Sequence, residues 1–124
     1  MPRVYVVNTS GHDISDAERY GELVVMTEGT VDKFNITIML RAFNEHLAYS
    51  TSDDFILVSG PTVMNCIACA MFAAKHGCLN LLLWRYERDG EDRYVHERVR
   101  FRLRRQVRKG TKTTKTKYKT SGES

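Results

Sequence analysis

Three short polar clusters carry the residue types that could do chemistry in this chain: Asn8-Thr9-Ser10-Gly11, Thr27-Glu28-Gly29-Thr30 and Ser59-Gly60-Pro61-Thr62. Each follows an apolar run of strand length. Hydroxyls, a glycine backbone that lets a ligand approach closely, and the amino end of a helix after Pro61 together suit a small anionic or polar ligand. Asn65, one turn into that helix, can reach the same place. The expected ligand-binding set is therefore Asn8, Thr9, Ser10, Thr27, Ser59, Gly60, Thr62 and Asn65, for a nucleotide-like small molecule. The competing explanation is that these residues only turn and cap the chain, as Gly, Ser, Thr and Asn do in most strand-to-helix loops. No G-x-G-x-x-G and no Gly-Lys-Ser/Thr phosphate loop occurs, so the usual dinucleotide and nucleoside triphosphate sites are not supported.

A second chemistry lies at the other end. Arg98, Arg100, Arg102 and Arg104 alternate along one strand face at about 6–7 Å spacing. Arg105, Arg108, Lys109 and Lys112 continue the charge into a Lys/Thr-rich tail. Residues 98–124 hold 11 Lys/Arg against one acid, net +10, whereas residues 1–97 hold 8 against 14, net −6. An acidic body with a basic end points to nucleic acid or another polyanion as partner for that end. The plain alternative is a solubilising, edge-protecting face.

Catalysis has weaker support. His12, Asp13 and Glu28 could serve as acid and base in hydrolysis of a nucleotide or phosphate ester. Ser59 lacks the flanking glycine pattern of a nucleophile elbow. Cys66-x-x-Cys69 lies past the first helical turn, away from the helix start that stabilises a thiolate. Cys66, Cys69 and Cys78 are expected to be buried, reduced structural thiols, and no metal set or cofactor is expected.

The elements that must position these residues follow from period and punctuation. Val4–Val7, Glu22–Met26, Phe55–Val58 and Leu79–Tyr86 are short apolar runs without alternation, as strands buried on both faces require. Ser15–Gly21 suits one short helical turn capped by Ser15. Thr30 or Asp32 is expected to cap a helix to about Tyr49, with Ile36, Leu40, Phe43 and Leu47 facing inward. A second helix, apolar nearly all round and started by Pro61, should run from Thr62 to His76, with Gly77 ending it. After the turn at Asp89-Gly90, residues 94–104 alternate. Val95, Glu97, Val99, Phe101 and Leu103 form the inward face, and Tyr94, His96 and the arginines the outward one.

The resulting fold class is α/β, a Rossmann-like, mostly parallel sheet of about five strands. Its order is β-β-α-β-α-β-β, with an antiparallel C-terminal edge hairpin. The domain is expected over residues 1–104, with 105–124 a basic disordered tail. No apolar run approaches the length of a membrane span. The chain opens directly on a strand-like segment, so no secretory leader is expected, and reduced thiols suit the cytoplasm.

The segments from Val6-Val7-Asn8-Thr9-Ser10-Gly11-His12-Asp13 to Gly21-Glu22-Leu23, and from Ser59-Gly60-Pro61-Thr62-Val63-Met64-Asn65 to His76-Gly77-Cys78-Leu79, resemble small α/β proteins of tailed bacteriophages. The resemblance covers most of residues 4–104. It implies no catalytic residue. By analogy it implies an accessory protein in an infected bacterial cytoplasm that sequesters a ligand or binds a host factor. The expectation is thus a non-catalytic accessory binding protein, a homo-oligomer, with nucleic acid, a small ligand or a host protein as partner. The small hydrolase and a structural or assembly subunit are the alternatives.

Overall fold

In a computed structural model, residues 1–9, 13–32, 34–87 and 90–101 are described. The elements run β1 (Arg3–Val6), a 3-10 helix (Ser15–Arg19), β2 (Glu22–Val25), α1 (Ile36–Leu47), β3 (Phe55–Leu57), α2 (Thr62–His76), β4 (Cys78–Arg85) and β5 (Arg93–Arg100). The strands form one sheet in the order β2-β1-β3-β4-β5. The first four are parallel, with Val4 opposite Leu23 and Phe55, and Ile56 opposite Leu81. β5 lies antiparallel to β4, with Asn80 opposite Arg98 and Leu82 opposite His96. The sheet is mixed rather than strictly parallel, so the fold is α/β without being a strict Rossmann sheet. The expected β-β-α order is met only loosely: the first β-to-β step carries a 3-10 helix, Ser15–Arg19, where one short helical turn is expected over Ser15–Gly21.

Side-chain alternation sends the strand residues to two unequal layers. Tyr5, Val7, Ile56 and Leu79 pack with Met39, Phe43 and Leu47 of α1 and with Met64, Ala68 and Phe72 of α2. On the other face, Val4, Val6, Leu57, Leu82 and Tyr94 pack around Ala17 of the 3-10 helix, flanked by Tyr20, Phe55 and Trp84. The chain leaves β1 toward β2 and returns past it to β3. The short crossover and the two long ones therefore cover opposite faces, as right-handed connections require. One face carries two full helices and the other a single five-residue helix.

Several local expectations shift. α1 starts at Ile36 rather than near Asp32, because Asn35 is its cap and accepts from the Ile38 N–H at 3.2 Å. Its buried stripe is Met39, Phe43 and Leu47, and Ile36 and Leu40 lie at its margin, 39% and 42% exposed. Pro61 precedes the helix as its cap, with extended ψ of 142°, instead of being the first helical residue. α2 then covers Thr62–His76, and Gly77 ends it at φ 73°, left-handed as glycine permits. Ser15 caps nothing: it is the first residue of the 3-10 helix, whose cap Ile14 offers no side-chain bond. Instead the Ser15 N–H donates to Asp13 Oδ1 at 2.9 Å.

β5 departs most from its sequence pattern. Tyr94, on the arginine side, is fully buried, whereas Val99 and Phe101, on the supposed inward side, are 38% and 42% exposed. β5 is the edge strand, and α2 packs over β4. The arginine-bearing face is therefore the one that meets the 3-10 helix.

Candidate functional site

The three corner clusters converge at the carboxyl ends of β1, β2 and β3, where strand order reverses and open α/β sheets hold ligands. Their polar groups, however, bond to one another. The Asn8 side chain, fully buried, donates to Thr27 Oγ1 at 2.9 Å and to the Gly29 carbonyl at 3.0 Å. The Thr27 hydroxyl donates to the Val7 carbonyl at 2.6 Å. The Ser59 hydroxyl donates to the Asn8 carbonyl at 2.6 Å and accepts from the Asn8 N–H at 3.3 Å. The Gly29 N–H donates to Thr9 Oγ1 at 3.2 Å. Asn65, 8% exposed, accepts from the Ser59 N–H at 3.0 Å and donates to the Ser59 and Pro61 carbonyls, both at 2.9 Å.

Gly60 sits at φ 83°, and a Cβ there would meet Asn8 Cβ at 2.6 Å. Only glycine lets the β3 corner close against the β1 corner. Thr62 is exposed at the amino end of α2, and Ser10 lies outside the described residues. The rim is thus a knot that joins three loops, and its buried amides and hydroxyls point inward.

Of the candidate catalytic residues, His12 lies outside the described residues and Glu28 is exposed. The Ser15 N–H bonded to the Asp13 carboxylate, backbone first, holds its pKa below the usual value. That favours a loop anchor over a base poised near neutrality. The cysteines are less uniform than expected. Cys78 is buried, Cys69 is half-buried and Cys66 is exposed, because α2 turns one side outward. Burial pushes the Cys69 thiol up to about 11, which keeps it protonated. Among the described residues no cluster of three or more His, Cys, Asp or Glu side chains is arranged to hold a metal.

Three open depressions lie toward the other rim or beside it. The first, about 370 Å³, lies among Pro2, Arg3, Tyr49, Thr51 and Asp54. The second, about 440 Å³, lies under the end of α1 by Tyr5, Glu22, Glu45 and His46. The third, about 470 Å³, is lined by Ser52, His76, Cys78, Arg98, Arg100 and Phe101. Here the sequence-predicted arginines enter the site. Arg98 donates through Nη1 to Asn80 Oδ1 at 3.0 Å and through Nη2 to Cys78 Sγ at 3.8 Å. Asn80, 1% exposed inside a leucine strand, is itself held by the carbonyls of Ser52 and Asp54 at 2.9 and 2.8 Å. Arg98 is thus fixed by neutral partners, and five N–H groups on its guanidinium leave donors available. The Arg100 side chain makes no ion pair or hydrogen bond among the described residues, while its backbone pairs opposite Cys78. Arg102, Arg104, Arg105, Arg108, Lys109 and Lys112 lie outside them.

Two acids, Asp54 and Asp16, are engaged elsewhere. Asp54 accepts from the Arg3 and Thr51 N–H groups at 2.9 and 2.8 Å. Asp16 accepts from the Tyr94 N–H at 2.8 Å and pairs with Arg19 at 3.2 Å. Sequence patterning put His96 on this face but missed what packs against it. His96, exposed on the same side as Arg98, sets its ring 5.0 Å from Phe55 and 6.4 Å from Tyr20, whose rings lie 5.5 Å apart. Arg19 lies over the Tyr20 ring at 4.4 Å. These residues come from three separate segments, β5, β3 and the end of the 3-10 helix. The one legible signal was Asn80, a lone amide in an apolar run that must find buried partners.

Among the described residues no helix is long and apolar enough to cross a membrane. No curated protein and no solved structure matches the chain. Residues 2–100 match the sequence model of the family described as Phage Pam3 gp32-like protein, which agrees with the phage resemblance carried by the Asn8 and Ser59 segments. The chain belongs to the Phage Pam3 gp32-like protein family.

Proposed function

We propose that this phage protein is a non-catalytic accessory binding protein whose β5 arginine face, continued by the basic residues of 102–124, engages nucleic acid or a similar polyanion. The observation that supports the reading is the mounting of Arg98. Asn80 and Cys78 orient its guanidinium without neutralising it, and among the described residues Arg98 makes no ion pair, while Asp54, which lies by Asn80, is bound to backbone N–H groups. An arginine positioned by neutral partners keeps its full charge for an outside anion and loses little side-chain freedom on binding. Arg100, one strand repeat along, extends the same face.

The test is fluorescence anisotropy of the full chain against labelled RNA and DNA over a range of salt. Binding should weaken with salt, and Arg98→Ala with Arg100→Ala should lower the logarithmic salt slope by about 1.4, at roughly 0.7 per phosphate contact on a single strand. An unchanged slope and affinity would refute the arginine face. A second reading places a nucleotide-like ligand at the carboxyl rim. It draws support from the amino end of α2, which has no side-chain cap. Native mass spectrometry of protein purified from its host would reveal such a ligand, a host protein or an oligomer.

A further inference from the structure

We infer that the polyanion is a single strand with exposed bases, and that one base stacks on His96 beside Arg98. The inference rests on the polyanion reading and deepens it. Phosphate contacts alone do not distinguish a strand from a duplex. A stacking platform does, because only an unpaired base can leave its neighbours and lie on a ring.

His96 is an exposed ring standing on an aromatic floor. Phe55 meets it edge-on, with the rings at 80°, and Tyr20 closes the cluster at 68°. This floor fixes the imidazole in place before any ligand arrives. The Tyr20 hydroxyl is itself anchored on the Tyr94 carbonyl at 3.2 Å. Arg19, over the Tyr20 ring, donates to the same carbonyl at 2.6 Å. Arg98 and Arg100 follow His96 at alternate positions on the same strand face, so the three residues stand in a row with backbone positions about 6–7 Å apart. Charge for the backbone beside a π-surface for the base is the combination that proteins binding single strands use without reading sequence. A duplex would meet the arginines and leave the ring unused.

The experiment compares three labelled probes on the full chain: an oligodeoxyadenylate, an abasic strand of equal length, and the corresponding duplex. The oligodeoxyadenylate should bind tightest. His96→Ala should weaken it about tenfold, within the range expected for one stacked base, with the salt slope unchanged. The same substitution should leave the abasic strand unaffected, and His96→Phe should restore binding. His96 is exposed, so these variants keep the core, which circular dichroism would verify. Equal binding of abasic and base-bearing strands, tighter duplex binding, or no effect of His96→Ala would overturn the inference. If Arg98→Ala still weakens all three probes in those cases, the polyanion reading stands and only the stacking fails. Should Arg98→Ala and Arg100→Ala change nothing, the reading beneath it fails as well.

Discussion

Replacing Asn65 tests whether the carboxyl rim is a knot or an open site. Asn65→Ala removes one accepted bond, from the Ser59 N–H at 3.0 Å, and two donated bonds of 2.9 Å, to Ser59 and Pro61. The Gly60 carbonyl at 3.4 Å adds little. A neutral hydrogen bond contributes about 1 kcal/mol net, and the Ser59 N–H would be left without its acceptor. The Pro61 carbonyl keeps the Met64 and Asn65 N–H groups, so its loss is softened. The sum is about 2–3 kcal/mol, a large share of the 5–15 kcal/mol typical of a domain. For a domain this size that lowers Tm by roughly 10–20 °C. Urea unfolding monitored by the fluorescence of Trp84 measures it directly. Asn65→Asp keeps an acceptor for Ser59 but turns a second carboxylate oxygen toward the Ser59 and Pro61 carbonyls, so it should lose at least as much. A change below about 0.5 kcal/mol in Asn65→Ala would refute the knot. Binding of polyanions, measured below the melting range, should be the same in both variants, since Asn65 lies at the opposite rim from Arg98.

Four other outcomes follow from the same geometry. Gly60→Ala should cost about 2 kcal/mol or more, because a positive φ and a 2.6 Å approach to Asn8 act together; a neutral urea midpoint would contradict this. The Tyr94 hydroxyl is buried with no hydrogen-bond partner among the described residues, so Tyr94→Phe should be neutral or stabilising by up to about 1 kcal/mol. Clear destabilisation in calorimetry would show that the hydroxyl is satisfied. The Asp16 carboxyl is held below its usual value, first by the Tyr94 N–H and further by Arg19, against the opposing effect of burial. A carboxylate depressed in the fold stabilises above its unfolded value of about 3.9 and loses that contribution as pH falls through the folded value. Asp16→Asn should therefore be less stable at neutral pH and show a flatter acid limb; parallel curves would exclude the effect. His76 runs the same way for a different reason: burial lowers its pKa, so stability should decline as pH drops below about 6.5, and His76→Gln should remove that slope.

Local pattern alone determined the strands, both helices, the α/β class and the split between acidic body and basic end. Short β-branched and leucine runs have one economical use, as strands covered on both sides, and Gly77 and Pro61 punctuate α2 through backbone sterics that need no neighbour. The meeting of the Asn8 and Ser59 corners was also legible, since right-handed crossovers leave few alternatives. Tertiary packing decided what those corners do. Whether an amide faces ligand or backbone depends on the close approach of Gly60 to Asn8, where an added Cβ would come within 2.6 Å, and no spacing in the chain encodes it. The same holds at β5, whose alternation gave two faces but not their environments. Edge position left Val99 and Phe101 exposed, while the 3-10 helix took Tyr94 into the core and set Tyr20 beside Phe55 of β3 beneath His96. Contacts between residues so far apart in sequence depend on sheet order and register, which pattern within one strand cannot carry.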